Sequence, residues 1–153
     1  MFAVIRVRGS IRLKKEMNDT MKMLRLFRVN HMVLVPENNQ SKKMVEKVKS
    51  YVTFGEINKE ILEKVLGKRG LITGNKKISI EVLKEMKMNS FSELTEKILS
   101  EEIKLKETKI KPVFRLRPPR KGFERAGIKK SFTVGGALGY RGKEINELIN
   151  KMI

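Results

Sequence analysis

The residues best placed to do chemistry lie near the C-terminus, in the stretch FTVGGALGYRGKEINEL, Phe132 to Leu148. Four glycines fall within eight residues, from Gly135 to Gly142, and lead through Arg141 and Lys143 into a helical pattern. A nucleotide-hydrolase loop needs Gly-x-x-x-x-Gly-Lys followed by Ser or Thr, because bare N–H groups cradle the phosphates and the hydroxyl holds Mg²⁺. Gly142-Lys143 fits the end of that pattern. The opening position is Ala137, however, and the hydroxyl position is Glu144, whose charge repels phosphate. The Gly-x-Gly-x-x-Gly pattern of dinucleotide sites is also absent. Acid–base and metal chemistry have little to work with. His31 is the only histidine and reads as a structural residue on a strand, there is no cysteine, and no His/Asp/Glu group has metal-ligand spacing. Glu101-Glu102 reads as a solvated helix end. The sequence therefore points to no catalytic residue, no metal and no cofactor.

A different use of the same glycines is to let a backbone approach a phosphate closely. Gly139-Tyr-Arg-Gly142 matches the GXXG loop of KH domains, which clamps single-stranded nucleic acid, and Gly67-Lys-Arg-Gly70 matches it too. The Gly139–Gly142 loop lies too near the chain end for the strand a KH fold requires after it, and the Gly67–Gly70 loop lacks convincing flanking strands. A KH-like regulator of single-stranded RNA and an RNA-processing enzyme are the two alternatives to the reading developed below.

Charge narrows the field. Lys and Arg number 35 against 17 Asp and Glu, a net charge of +18 in 153 residues. Such a surplus repels itself unless an anion neutralises it, and nucleic acid is the commonest polyanion to do so. No apolar run approaches the roughly 20 residues that cross a bilayer. The start, MFAVIRVRGS, has Arg6 and Arg8 inside its apolar stretch, unlike an export signal. A cytoplasmic protein is expected.

The elements that must position these cations fall into three segments. Residues 1–57 alternate in type. FAVIRVR (2–8) reads as a buried strand. Leu13, Met17, Met21, Leu24 and Phe27 space an amphipathic helix over 14–28. HMVLV (31–35) is a second strand, 41–51 a second helix and VTFGEI (52–57) a third strand. The expected unit is β-α-β-α-β, with the first two strands parallel, both helices on one face and the other face free for a partner. Residues 58–111 read as a small helical insert, with one helix stopped at Gly67, a second through Ile80, Leu83 and Met86, and a third opened by the capping box Ser90-Phe-Ser-Glu93. The methionines of the chain mostly sit at apolar helical positions and suit core packing. Residues 112–153 are a basic segment ending in a short helix whose Ile145, Leu148, Ile149 and Met152 should dock on the core. Within 112–143 there are nine cations, Arg115, Arg117, Arg120, Lys121, Arg125, Lys129, Lys130, Arg141 and Lys143, against Glu124 alone. With three prolines and six glycines, this stretch is expected to form few regular hydrogen bonds and to be mobile over 115–125 until RNA orders it.

RLRPPR sets Arg115 and Arg117 on one side of an extended backbone, with Arg120 just beyond. Guanidinium forks suit phosphates and base stacking. Arg8, Arg12, Lys14 and Lys15 form a second basic patch. Core packing is the better reading for Phe114, Phe123 and Phe132, whereas Tyr140, between Gly139 and Arg141, is the better stacking candidate.

FAVIRVRG, HMVLVPEN, PVFRLRPPRKGFERAGIKKSF and GGALGYRGKEINELI together resemble the archaeal long form of ribosomal protein thirty of the large subunit, over nearly the whole chain. The resemblance implies an α+β fold with a ferredoxin-like core, to which long forms add a helical insert and a C-terminal segment. It implies a structural role in the large ribosomal subunit and no catalysis. The implied partners are large-subunit ribosomal RNA, the small ribosomal RNA of that subunit as a second candidate, and neighbouring large-subunit proteins, with no membrane and no small-molecule substrate. The RNA-binding residues expected are Arg8, Arg12, Lys14, Lys15, Arg115, Arg117, Arg120, Lys121, Arg125, Lys129, Lys130, Gly139, Tyr140, Arg141, Gly142 and Lys143.

Overall fold

Phe2–Arg6 (β1) is buried at all five positions. A strand whose side chains are apolar on both sides must be covered on both faces, so it belongs at the centre of a sheet. The computed structural model, which describes every residue except 12, 80, 81, 84–87, 89, 104, 106 and 107, places it there. The other strands are His31–Val35 (β2), Val52–Glu56 (β3), Val113–Arg115 (β4) and Gly139–Tyr140 (β5). Their order in the sheet is β4-β2-β1-β3-β5.

The pairing corrects one expectation. β1 and β2 are antiparallel, with Phe2 opposite Val35 and Ile5 opposite Met32. β1 and β3 are antiparallel as well, and only β3 and β5 run parallel. The reason lies in what joins β1 to the helix Lys15–Met23 (α1) and α1 to β2. Long connections at both ends bring the chain back to the strand end it left. There the Asn30 amide donates to the Arg6 carbonyl at 2.8 Å. The handedness rule for crossovers concerns parallel strands and does not apply.

α1 is also shorter than its apolar spacing suggests. Glu16 in its first turn and Lys22 in its last complement the helix dipole. It then ends in a Schellman motif. Arg25 takes φ 61°, its amide donates to the Lys22 carbonyl, and the Leu26 amide reaches back to Met21 at 2.8 Å. An arginine occupies the left-handed position that glycine usually marks. Phe27 consequently leaves the helix and is 56% exposed. The second helix, Asn39–Lys47 (α2), packs beside α1. Met21 and Leu26 from the α1 region, with Val45 and Val48 from the α2 region, cover Phe2, Val4, Val33, Val35 and Val52 on one face of the sheet.

The opposite face is not free, contrary to expectation. The helices Lys59–Arg69 (α3), Phe91–Leu99 (α4) and Ile145–Met152 (α5) pack there. Leu62, Val65 and Leu66, with Leu94 and Ile98, join Ala3, Ile5, Met32, Phe114 and the apolar side of α5 in one cluster. Ser90 caps α4, its hydroxyl accepting from the Glu93 amide at 3.2 Å. α3 runs through Gly67 and stops at Gly70, where a Cβ would lie 2.3 Å from the Leu66 carbonyl oxygen and 2.4 Å from Ile78 Cδ1. The second insert helix expected, through Ile80 and Met86, falls largely outside the described residues. The terminal helix docks as anticipated. Asn146, buried, accepts from the Asn58 amide at 2.9 Å and donates to the Glu56 carbonyl at 2.9 Å.

Because α3, α4 and the sheet share one apolar cluster, a cavity in α3 should weaken the whole molecule. Leu66→Ala, at a fully buried site, is expected to cost about 2–5 kcal/mol. It should lower the midpoint of a single urea transition; two separated transitions would show that the helical insert is its own folding unit.

Candidate nucleic-acid interface

With both faces covered, the sheet offers a partner only its ends and edges. At one end residues 7–11 and 24–30 meet the chain leaving β4. Arg6 holds this end together. It is 2% exposed, although its side chain carries a full charge. Nε donates to the Arg8 carbonyl at 2.9 Å, one terminal nitrogen to the Leu26 and Phe27 carbonyls at 2.8 and 3.0 Å, and the other to the Ser10 hydroxyl at 2.6 Å. All of these partners are neutral. Burial draws the Arg6 pKa down from its usual value, but a guanidinium stays charged in a protein. The site therefore keeps a fixed positive charge and staples two loops that present Arg8, Lys14, Arg25 and Arg28.

His31, the first residue of β2, lies at the same end. Burial, then Arg115, Arg28 and Arg6, all push its pKa below the ordinary 6.5. Three guanidinium groups from three segments thus act on one imidazole. β4 supplies the third, since Arg115 pairs in register with His31, and the Leu116 amide donates to the Asn30 carbonyl at 3.0 Å. Burial alternates along this stretch: Phe114 and Leu116 are buried, Arg115 and Arg117 exposed. The two arginines therefore project to one side, as the extended reading requires.

The other sequence-predicted residues separate into groups. Arg8 donates to the Ser50 carbonyl at 3.2 Å and lies 4.8 Å over the Tyr51 ring, half-exposed. Lys14 and Lys15 are exposed at the start of α1. Arg12 is outside the described residues. Arg117, Arg120, Lys121, Arg125, Lys129, Lys130 and Lys143 are exposed. Gly139 and Tyr140 form β5 at the far edge of the sheet. Gly142 takes φ 55°, in the left-handed region, and its backbone packs against Gly55, where a Cβ would lie 2.0 Å from the Gly142 carbonyl oxygen. Gly67 to Gly70 is the last turn of α3 rather than a loop, which removes one of the two GXXG matches.

Arg141 is a correction. It is 5% exposed, and its guanidinium is engaged inside the protein. Nε donates to the Thr53 hydroxyl at 2.9 Å, and Nη2 to Glu124 Oε2 at 3.0 Å and the Ala137 carbonyl at 3.1 Å. Nη1 pairs with Glu124 Oε1, and the group sits 4.5 Å over the Phe132 ring. Burial alone would raise the Glu124 pKa, but the hydrogen bonds and charge of Arg141 outweigh it and hold the carboxyl below 4.5. The single anion of the basic segment is thus spent on a single buried cation.

That pair belongs to a wider correction. The segment expected to lack regular hydrogen bonds is threaded by them. Arg117 and Arg120 amides donate to the Met152 and Lys151 carbonyls at the end of α5, at 2.9 and 3.0 Å. Further along, Ala126 bonds to Gly135, Phe132 to Leu138 and Ala137 to Gly127, at 3.1, 2.7 and 3.1 Å. Phe114 lies in the core, Phe123 packs against it and Phe132 lies beneath Arg141.

The chain is similar to known proteins over its whole length. Residues 2–52 match the family model described as ribosomal protein L30p/L7e. The large ribosomal subunit protein uL30 of Methanococcus vannielii is 57% identical over 152 residues, 99% of each chain. That of Nanoarchaeum equitans is 46% identical over 153 residues, covering 100% of this chain and 99% of its own. That of Methanosphaera stadtmanae is 45% identical over the full length of both. The chain belongs to the L30p/L7e family. The family model covers the sheet from β1 to the start of β3 with α1 and α2, whereas the uL30 relatives extend through the helical insert and the basic segment to the C-terminus. The α+β fold is that of this family, and the family is structural rather than enzymatic.

Sequence reasoning missed Arg6, Arg25, Phe27 and Arg28. Arg6 had a signal: an arginine in the middle of an apolar strand has to find buried acceptors. Phe27 and Arg28 had none, because the apolar spacing runs on past the residue where the helix stops.

His31 and Glu124 both make acid destabilising, in separate windows. His31 has a folded pKa below its unfolded 6.5, so the unfolded chain takes up the proton first and stability falls as pH drops below about 6.5. Glu124 has a folded pKa below 4.5, so its contribution is present above 4.5 and lost as pH falls through the folded value. Glu124→Gln is expected to remove the lower step and keep the upper one. Its cost near neutrality should be about 2–3 kcal/mol, under the 3–5 of a fully buried pair because Glu124 is partly exposed. Urea titrations from pH 3.5 to 7.5 measure both. Amide exchange on the free protein should find the Arg117 and Arg120 N–H groups protected; rapid exchange at both would restore the expectation of a mobile segment.

Proposed function

We propose that this chain is a structural constituent of the large ribosomal subunit that grips folded ribosomal RNA with the basic end and edges of its sheet. Family membership and full-length similarity to uL30 proteins support the subunit assignment. The observation that carries the RNA reading is the cluster of cations at one end of the sheet: Arg28 just before β2 and Arg115 and Arg117 along the exit of β4 are exposed, Arg115 is in register with His31, and the buried Arg6 holds the loops beside them. In a protein of net charge +18, such a cluster suits a polyanion, whose phosphates neutralise it. The working place is the ribosome, and hence the cytoplasm.

On this reading Arg28, Arg115, Arg117 and Arg120 make phosphate contacts, joined by Arg8, Lys14 and Lys15. Lys121, Arg125, Lys129, Lys130 and Lys143 extend the charged surface. Arg141 and Gly142 act from within, by fixing the backbone that carries Tyr140. Neither the KH-like regulator nor the RNA-processing enzyme has support from the geometry. One GXXG match is helical, and among the described residues no group of three or more potential metal-ligating side chains assembles.

Binding to large-subunit ribosomal RNA should weaken steeply with salt, with a log–log slope of several units. Arg28→Gln and Arg115→Gln are each expected to reduce that slope by about one and to leave the melting temperature nearly unchanged. Filter binding between 50 and 300 mM salt measures both. A nearly flat slope for the unmodified protein would sink the phosphate-contact reading.

A further inference from the structure

The β5 edge of the sheet carries a second feature, unlike the guanidinium-rich end. A groove of about 630 Å³ lies between the turn after α2 and residues 129–133, within the range of roughly 300–1,000 Å³ for small-ligand clefts. Phe54, Phe132 and Tyr140 contribute aromatic walls, and Lys49, Lys129 and Glu46 the charged ones. Tyr140 is 52% exposed, a large amount for an aromatic side chain on a strand. Its ring nevertheless has a defined position. The hydroxyl donates to Glu56 Oε1 at 2.6 Å, which also raises the Tyr140 pKa above 10. The ring centroid is 5.5 Å from that of Phe54 at a tilt of 50°. Below it, Thr53 donates to the Gly139 carbonyl at 3.1 Å, and Arg141 fixes the next residue from inside. At Gly139, with φ 84°, the space a Cβ would enter is open.

We infer that this groove takes a single unpaired nucleobase of ribosomal RNA, stacked on Tyr140, with Lys49 and Lys129 on its flanking phosphates. The inference rests on the RNA reading above and adds the kind of element recognised. A paired helix presents phosphates and groove edges and has no use for an aromatic wall. A splayed base has a π-face that stacks on one, worth about 1–3 kcal/mol per base by alanine substitution. A ring held before binding loses little freedom when the base arrives. Glu46 leaves the rim with a net charge of +1, two lysines less one carboxylate. Its oxygens can accept from the exocyclic amine of a base, which a bare phosphate chain does not offer. An apolar segment of a neighbouring protein would fit the aromatic walls but not the lysines.

The test uses the full chain and a large-subunit ribosomal RNA transcript. Affinity and base-specific chemical probing of all four bases are compared for the unmodified protein, Tyr140→Phe and Tyr140→Ala, with melting curves for each. The expected result is at least one unpaired base protected by the unmodified protein and by Tyr140→Phe. That base becomes reactive again with Tyr140→Ala, whose affinity drops about 5- to 100-fold. Lys129→Gln should weaken binding more modestly and lower the salt slope by about one. If Tyr140→Ala stays folded and keeps both affinity and footprint, the groove does not hold a base. Nor does it hold one if only assembly with subunit proteins, and not RNA binding, is impaired. If the unmodified protein fails to bind the transcript at all, the underlying RNA reading fails with it, and the two failures are thereby distinguished.

Discussion

The burial of β1 on both faces is the constraint from which the rest of the structure follows. A strand with Phe2 and Val4 on one side and Ala3 and Ile5 on the other leaves neither side to water. α1 and α2 satisfy one face. The other would expose Ala3, Ile5, Met32 and Phe114 without α3, α4 and α5. Burial of such side chains is worth roughly 1.5–3 kcal/mol for each large one, so the helical insert and the terminal helix are held to the sheet by the same force that forms the sheet. Recognition is then confined to strand ends and edges, and the exposed Lys14, Arg25, Arg28, Arg115 and Arg117 lie at such an end.

Two guanidinium groups enter the interior, and the protein treats them differently. Arg141 meets a carboxylate, so its charge is cancelled locally and it serves as a fastening for the basic segment. Arg6 meets only carbonyls and a hydroxyl. Its hydrogen bonds are satisfied, but its charge is not, and the field remains at the end of the sheet. A carboxylate placed there would strengthen the fold locally and cancel the field that a phosphate would meet. Burial, and after it the charges of Arg115, Arg28 and Arg6, lower the pKa of His31, so protonation that would add a fourth cation to that end is disfavoured.

The order of elements in the first 57 residues could be read from the sequence because it rests on periodicity. Alternation and three-to-four spacing follow from which side chains are buried, and those choices are written residue by residue. The Ser90 cap and the terminal apolar stripe of Ile145, Leu148 and Ile149 were legible for the same local reason. What was not legible is set by distant partners. Antiparallel pairing of β1 and β2 depends on where a long connection returns, and the bonds of Arg6 to the Leu26 and Phe27 carbonyls, some twenty residues away, are part of that return. The end of α1 was hidden because Arg25 adopts a left-handed conformation without being glycine. Gly67 looked like a stop, yet it is tolerated inside α3, and the helix ends at Gly70, where the close approach of Ile78 leaves no room for a side chain. Arg141 looked like one more surface cation among nine, and only its approach to Glu124, seventeen residues earlier, shows otherwise. The charge surplus pointed to RNA, but it could not separate cations that face a phosphate from one that holds the chain together.

That separation changes how binding should be understood thermodynamically. A disordered basic segment that folds on RNA loses about 1–2 kcal/mol of backbone entropy for each residue ordered, and this is subtracted from every phosphate contact it makes. Here the order is supplied by the fold. The Arg117 and Arg120 amides are bonded to the end of α5, the 126–138 region is bonded to itself, and Arg141 ties that region to β3, through the Ala137 carbonyl and Glu124 on one side and Thr53 on the other. The remaining freedom is in the side chains of Arg115, Arg117 and Arg120, which are exposed and extend from a fixed backbone. Phosphate contacts made by such side chains require only rotamers to be chosen. The prolines fit this reading better than they fit disorder. Pro118 and Pro119 stand between two residues whose amides are bonded, where their own missing N–H groups cost no hydrogen bond and their fixed φ narrows the unfolded ensemble. A segment rich in charge, proline and glycine is here part of the scaffold, because α5 and a single buried ion pair give it something to fasten to.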